Sequence, residues 1–407
     1  MPLGNTAPLP RPPRSDSAGQ PIGLYVHLPF CTTKCGYCDF YSLPTLPDQI
    51  DGLVDSLDAE LTARDPGRPI ETVFIGGGTP TVLPAAALER VLTRVQRTAG
   101  KVSEFTCEAN PSTTDELKLA LLRRGGVTRV SFGAQSFHPD DLAVLQRIHN
   151  PAHVGESVRA ARAAGFDNLN LDLIFGIPGQ TPARWRESLR QAIELEPDHL
   201  SCYSLMYEPG TLLTKQRQQG ILSPCDEDHE IEMFEMTGDI LAAAGYERYE
   251  MSNFARPGRE CLANIIYWEN REYLGVGPSA VSYLDGVRRK NIADVRRYVE
   301  RRGGTNGDIV AESEQLSPHD RALETAMQML RLSEGIDRRR FVEITGFEAD
   351  PLLSNRLVDF IELGLVESDG RGWRFTPPGL LVSNRVLTEL APEFRQQGDI
   401  ALDVIQS

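Results

Sequence analysis

Between residues 24 and 205 the chain alternates short runs of apolar, β-branched and aromatic residues with longer stretches whose apolar positions recur at helical period. The short runs are Leu24 to Leu28, Thr72 to Ile75, Glu104 to Glu108, Thr128 to Phe132, Asn168 to Phe175 and His199 to Leu205, and their length and composition predict strands. Helical patterns lie between them, over Asp48 to Thr62, Ala85 to Arg97, Thr114 to Arg123, Pro139 to Leu145, Val154 to Ala164 and Pro182 to Leu195. Strand-to-strand steps of roughly 25 to 50 residues are the size of repeated βα units, which build a parallel sheet. Gly125 and Gly165 stand where such helices end. Six units of this kind fit a partial barrel or a doubly wound sheet, and periodicity does not separate the two. Polar residues at the strand ends favour the barrel. A cysteine-rich loop follows the first strand, Gly76-Gly77-Gly78-Thr79-Pro80 follows the second, and Glu108 ends the third. In parallel barrels the C-terminal ends of the strands form the active face.

The pattern loosens from about Gly245 to Asn306. Beyond Gln315 it tightens into helical patterns over Pro318 to Leu332, Arg338 to Thr345 and Pro351 to Leu363. Leu365 to Phe375 follows, with Asp369-Gly370 as a hairpin signal. Three helices and a hairpin predict a small winged-helix-like α+β domain. The expected organisation of this α/β chain is a Pro-rich disordered tail over 1–21, a partial parallel (βα)6 barrel over 22–255, an extension over 256–315 and the winged-helix-like domain over 316–407. The tail lacks the apolar core of a secretory signal.

Composition narrows the classes. A chain of 407 residues with 41% hydrophobic content has the material for a large core. The formal net charge of -15 argues against general affinity for nucleic acid or anionic membranes. Residues 317–407 hold 10 Lys+Arg against 15 Asp+Glu, so DNA binding is not expected of the winged-helix-like domain either. Seven cysteines, three of them in one motif, are not a disulfide framework and point to a reducing cytoplasm. No apolar run is long enough for a transmembrane segment.

The chemistry concentrates in Cys31-Thr-Thr-Lys-Cys35-Gly-Tyr-Cys38. Three clustered thiols hold three irons of a cubane and leave the fourth without a protein ligand, whereas electron-transfer clusters take four. An open coordination site is how a metal centre admits a substrate. The alternative is a structural zinc site completed by His27 or Cys107. The glycines of the second loop let backbone carbonyls approach a ligand closely. Glu108, Gln135, Arg147 and Asp172 are polar groups near strand ends. Asp172 interrupts an apolar strand, where an unpartnered carboxylate is costly. Structural ion pairs are the plainer reading of these four, as packing is for Tyr25. Cys107, Cys202 and Cys225 read as small buried residues, Cys261 as an ordinary free cysteine, and Arg338-Arg339-Arg340 as a solvated face.

The spacing Cys-x3-Cys-x2-Cys, with Tyr37 before the last cysteine, resembles the radical S-adenosylmethionine (SAM) superfamily over most of residues 22–255. The resemblance implies a [4Fe-4S] cluster on Cys31, Cys35 and Cys38 whose unique iron chelates SAM, with reductive cleavage giving a 5'-deoxyadenosyl radical. It implies that Gly77, Gly78 and Thr79 meet the methionine amino group. Tyr25, Tyr37, Glu108, Gln135, Arg147 and Asp172 would line the remainder of the cofactor site. Pro29-Phe-Cys, Cys38-Asp-Phe-Tyr41, Ser131-Phe-Gly-Ala-Gln-Ser-Phe137, Asp172-Leu-Ile-Phe-Gly-Ile-Pro-Gly-Gln-Thr181 and Tyr249-Glu-Met-Ser-Asn253 narrow the likeness to the coproporphyrinogen oxidase-related branch. Within it the chain resembles the HemW-type haem chaperones. That implies haem, a haem-acceptor protein and an electron donor as partners. The alternatives are an oxygen-independent coproporphyrinogen III oxidase, with a porphyrinogen as substrate, or a cofactor-retaining paralogue acting on something else. Phe40 stands where the oxidases carry a further cysteine, which disfavours that activity. Asn264, Tyr267 and Trp268 retain the chaperones' His-Asn-x-x-Tyr-Trp motif, but Ala263 holds the histidine position, and alanine cannot ligate iron.

Overall fold

A computed structural model describes residues 19–390. The expected tail lies outside the described residues up to residue 18, as does the end of the C-terminal domain from residue 391. The chain divides into two compact units. One comprises Pro21–Tyr267 with Glu272–Glu314, and the other Trp268–Arg271 with the described residues from Gln315 onward.

The first unit is built on six strands, β1 (Ile22–Leu28), β2 (Ile70–Gly77), β3 (Glu104–Ala109), β4 (Arg129–Gln135), β5 (Leu169–Phe175) and β6 (His199–Ser204). All pair in parallel, each with the next in sequence. Every crossover therefore moves one place the same way. Because crossovers are right-handed, such an order lays the connecting helices on one side, as in a barrel. A doubly wound sheet reverses its order at a switch point, and none occurs among these six strands. The sheet does not close. Asn253–Ala255 and Glu247–Arg248 extend it antiparallel beyond β6.

The helices begin on proline in a repeated way. Pro47, Pro139, Pro151 and Pro182 each take a first-turn position, where the missing N–H costs nothing. Asn150 and Thr181 cap the last two by accepting backbone N–H groups. After the helix Glu116–Arg124 it is Gly126, at φ +90°, that turns left-handed. Gly125 keeps φ -74° and is required for space, since a Cβ there would meet Leu92 at 2.8 Å.

Period-2 alternation sorts the strands into two faces. Leu24, Val26, Val73, Ile75, Phe105, Val130, Phe132, Leu171 and Leu200 share one core with the helix residues Leu53, Leu57, Leu88, Val91, Leu119 and Leu189. The alternate positions are polar: Tyr25 and His27, Thr72, Glu104 and Glu108, Arg129 and Ser131, Asn170 and Asp172, His199 and Ser201. Barrel interiors are ordinarily layered with bulky apolar residues. A polar inner face marks where the chemistry sits.

The stretch expected to be irregular contributes strands instead. Tyr273–Val276 (β7) pairs in parallel with β1, and Val281–Leu284 (β8) and Val287–Asn291 (β9) form an antiparallel hairpin beside it. Val310–Gln315 completes that edge. The signal was Asp285-Gly286, at φ +52° and +72°, a two-residue turn of the hairpin type.

In the second unit the helices Pro318–Met329, Arg338–Thr345 and Ala349–Glu362 and the strands Ile336–Asp337, Val366–Ser368 and Gly372–Phe375 enclose Leu323, Phe341, Leu353, Leu357 and Trp373. Two of the three arginines expected to face solvent are engaged. Arg338 pairs with Asp350 at 3.0 Å and lies 3.9 Å over the Trp373 ring, and Arg340 pairs with Glu269 at 2.7 Å. Only Arg339 is exposed. Among the described residues no helix is long and apolar enough to cross a membrane.

Candidate functional site

The cysteine loop leaves β1 through Phe30–Cys31, which pairs with Leu43–Pro44 and so closes the loop at its base. Cys31 O accepts from Thr45 N at 2.9 Å, and Cys38 N donates to Cys35 O at 3.3 Å. All three thiols are half-buried. Burial pushes the Cys38 thiol up to about 11, with Cys35 adding like-charge repulsion, and burial raises Cys31 too. Thiols disfavoured as bare anions at one spot suit a strongly cationic centre.

Two other strand ends meet this loop. Gly78 N donates to Leu28 O and Thr79 N to Phe30 O, both at 2.8 Å, and Thr79 Oγ1 lies 3.7 Å from Cys31 Sγ. Gly77, at φ +100°, leaves room for the His27 ring, which a Cβ would meet at 2.3 Å. Gly77 N donates to Glu108 Oε2 at 3.1 Å. From the loop after β4, Arg147 Nη1 donates to Cys35 Sγ at 3.4 Å and Nη2 to Gly133 O at 2.5 Å, while its buried Nε has no partner. Gln135, at φ +63°, lies beside it, and a Cβ on Gly133 would meet Gln135 Nε2 at 2.8 Å and Arg147 Nη2 at 3.0 Å. Tyr37 packs with Leu145, Ile174, Leu205 and Leu213. Tyr25 donates to His27 Nδ1 at 2.9 Å, and His27 Nε2 donates to Tyr41 O at 2.8 Å.

Deeper on the inner face, Asp172 accepts from Ser131 Oγ at 3.0 Å and Asn170 Nδ2 at 2.7 Å. Burial pushes Glu108 up to about 8, and the Asp172 charge adds to it. Two half-buried carboxyls that disfavour each other's charge fit a ligand presenting hydroxyl donors.

The predicted cofactor residues thus converge on one edge of the sheet. Those of the haem motif do not all join them. The helix Leu262–Trp268 begins with Leu262 N and Ala263 N donating to the Glu104 carboxylate at 3.2 and 3.4 Å. Asn264 Nδ2 donates to Tyr249 Oη at 3.4 Å, and Tyr267 lies edge-on to Tyr273. Trp268 belongs to the second unit, with Arg331 5.5 Å over its ring. The helix carries no histidine; Tyr267 is its one side chain of a type that ligates haem iron, and burial holds its phenol well above the usual range. Cys261 Sγ just before it is 1% exposed, donates to Glu104 Oε1 at 3.4 Å, and is pushed up to about 12 by burial. Cys225, expected to be buried, is only half so.

The zinc alternative fares poorly. Among the described residues no three His, Cys, Asp or Glu side chains group around one ion position. Both nitrogens of His27 are engaged, and Cys107 lies on the apolar outer face. A cubane instead takes its thiolates at separate iron corners.

Sequence reasoning missed Glu104, Arg129, Asn170 and Tyr249. The signal was alternation. Arg129 and Ser131, like Asn170 and Asp172, stand two apart in otherwise apolar strands and share the inner face.

Three buried histidines make the cofactor-free protein acid-labile. Burial lowers His27 and His149 from 6.5 to about 4, and His199 well below 6.5. The folded state holds them neutral while the unfolded chain protonates near pH 6.5. Their contribution is therefore complete above that pH and is lost as pH falls towards 4, by roughly 3 kcal/mol for His27 alone. Glu108, between pH 8 and 4.5, and Asp172, also raised by burial, work in the opposite sense, but the three histidines outnumber them. Urea unfolding at pH 7 and pH 5 should show the protein less stable at the lower pH, by on the order of 2 kcal/mol; equal midpoints would refute the buried neutral assignment.

Family models match at two places. The radical SAM superfamily matches residues 25–192, and the HemN C-terminal domain matches residues 316–382. The heme chaperone HemW of Bacillus subtilis is 35% identical over 375 residues, covering 89% of this chain and 97% of its own. That of Escherichia coli is 35% identical over 379 residues, covering 90% and 97%. Among solved structures, the coproporphyrinogen III oxidase HemN from Escherichia coli, a radical SAM enzyme, superposes with a TM-score of 0.79. It does so at 24% identity, over 92% of this chain and 91% of that one, a likeness of fold.

Proposed function

The chain belongs to the HemW family of the radical SAM superfamily, and from that premise we propose that it is a haem chaperone carrying a [4Fe-4S] cluster and SAM. What supports the reading is full-length likeness to proteins named heme chaperones, joined to three thiols on one loop at the sheet's C-terminal edge. Cys31, Cys35 and Cys38 are the cluster ligands. When bound, the cluster supplies a redox centre with one open iron for SAM.

The chain's own residues do the remaining work. Gly77, Gly78 and Thr79 take the methionine amino group. Glu108 and Asp172 accept the ribose hydroxyls, Gln135 and Arg147 hold polar groups beside them, and Tyr25 and Tyr37 wall the site. Arg147 also offsets thiolate charge at Cys35. Asn264, Tyr267 and Trp268 are the candidate haem region, with no iron ligand assigned on that helix. The partners are haem, an acceptor protein and an electron donor, in the cytoplasm.

Anaerobic titration with haem, followed by absorbance, tests the assignment. Saturable one-to-one binding to the cluster-loaded protein is expected. Linear, unsaturable uptake together with conversion of coproporphyrinogen III would transfer the chain to the oxidase reading, which Phe40 disfavours.

A further inference from the structure

A chain of hydrogen bonds crosses the inner face of the sheet, from Asp172 to the helix that carries Asn264. Asn170 Nδ2 donates to Asp172 Oδ1 at 2.7 Å and to Ser131 Oγ at 2.7 Å. His199 Nδ1 lies 2.6 Å from Asn170 Oδ1, and His199 Nε2 lies 2.9 Å from Tyr249 Oη. Tyr249 Oη in turn lies 3.4 Å from both Asn264 Nδ2 and the backbone N of Cys261.

The direction of every bond is fixed by the two ends. Asp172 accepts from Asn170 Nδ2, which leaves the Asn170 carbonyl to face His199. His199 then carries its proton on Nδ1. Its bare Nε2 requires the Tyr249 hydroxyl as donor. The oxygen left on Tyr249 accepts from Cys261 N–H, an obligate backbone donor, and from Asn264. His199 is fully buried, and burial with the Arg129 charge keeps it neutral. A neutral imidazole, with one donor and one acceptor nitrogen, fits both neighbours at once.

We propose that His199 is a positioning residue. Locked in the Nδ1–H tautomer by Tyr249, it holds Asn170 against Asp172, and so ties the nucleoside carboxylate to the setting of Asn264 on the helix. The SAM and tetrapyrrole regions then share one hydrogen-bond polarity. Freed from Tyr249, the imidazole exchanges tautomers, the Asn170 amide turns over, and Asp172 loses a donor. The proposal rests on the assignment of Asp172 to SAM.

Two measurements on Tyr249→Phe test it, the first on cofactor-free protein. Nitrogen-15 NMR of histidine-labelled wild type should show His199 as a single Nδ1–H tautomer, and Tyr249→Phe should give a mixture. In cluster-loaded protein the same variant should bind SAM about fivefold more weakly at unchanged iron content, the scale of one hydrogen bond. His199→Asn keeps an amide donor near the Nδ1 position and should retain SAM affinity within about twofold, while His199→Phe should not. An unchanged tautomer in Tyr249→Phe, or SAM affinity within twofold of wild type, would overturn the relay. If loaded wild type bound no SAM, the cofactor assignment would fall instead, and the tautomer measurement would still decide whether the relay exists.

Discussion

Cys35→Ala protein, reconstituted anaerobically with iron and sulfide, is expected to lose essentially all of its visible iron–sulfur absorbance while remaining folded. The loop offers no substitute. Its neighbours Thr32, Thr33, Lys34, Gly36, Tyr37, Asp39 and Phe40 carry no soft ligand. Cys107 and Cys202 are buried in the apolar outer core, and Cys261 is bonded to Glu104. Two thiolates cannot keep three corners of a cubane out of water. The fold has little to lose, because the loop is closed at Phe30–Cys31 against Leu43–Pro44 and not at Cys35. Among the described residues the only side-chain bond to the Cys35 sulfur is the 3.4 Å one from Arg147. Iron analysis, absorbance and a thermal melt on one preparation check this. A variant that kept a normal brown spectrum would remove Cys35 from the ligand set, and one that failed to fold would show the loop to be structural.

How far the residues announce this arrangement depends on what kind of signal each gives. The six parallel strands were legible because each pairs apolar alternation with a helix of matching period and a proline or glycine at its ends. Their order was not, since hydrophobic pattern is the same for a barrel and a doubly wound sheet; consecutive parallel pairing decides it. β7 to β9 were too short for periodicity, and only Asp285-Gly286 marked them. The candidate residues around the cysteine loop stand out in the sequence because they sit at strand ends beside glycines. The Glu104–Arg129–Asn170–His199–Tyr249 layer does not. Its strand members each look like an isolated polar residue in an apolar strand until strand register sets Asn170 opposite both Ser131 and His199. Ala263 shows the reverse limit. The family resemblance marks Ala263 as standing at a histidine position, and the fold adds that its neighbour Cys261 is buried and hydrogen-bonded to Glu104.

The glycine loop supplies the second large effect, and the cause is space, not backbone angle. A Cβ on Gly78 would lie 2.6 Å from Phe30 O, 2.7 Å from Leu28 O and 2.8 Å from the Pro29 carbonyl carbon. These are backbone atoms, so no rotamer change relieves them. A methyl there must push the loop off β1 and break the Gly78–Leu28 and Thr79–Phe30 bonds. Gly78→Ala is expected to cost about 2–4 kcal/mol of stability and, by moving Thr79 and the entry to Cys31, to weaken SAM binding at least about tenfold. Gly100→Ala is the control. That residue has φ +66° and ψ -136° and nothing within 4 Å, so its substitution carries only the conformational penalty, about 1–3 kcal/mol, and leaves SAM binding unchanged. Urea unfolding of both variants and calorimetric SAM binding separate the two causes. If Gly78→Ala proved no less stable than Gly100→Ala and bound SAM normally, the close approach of this loop to the cysteine strand would not be what shapes the site.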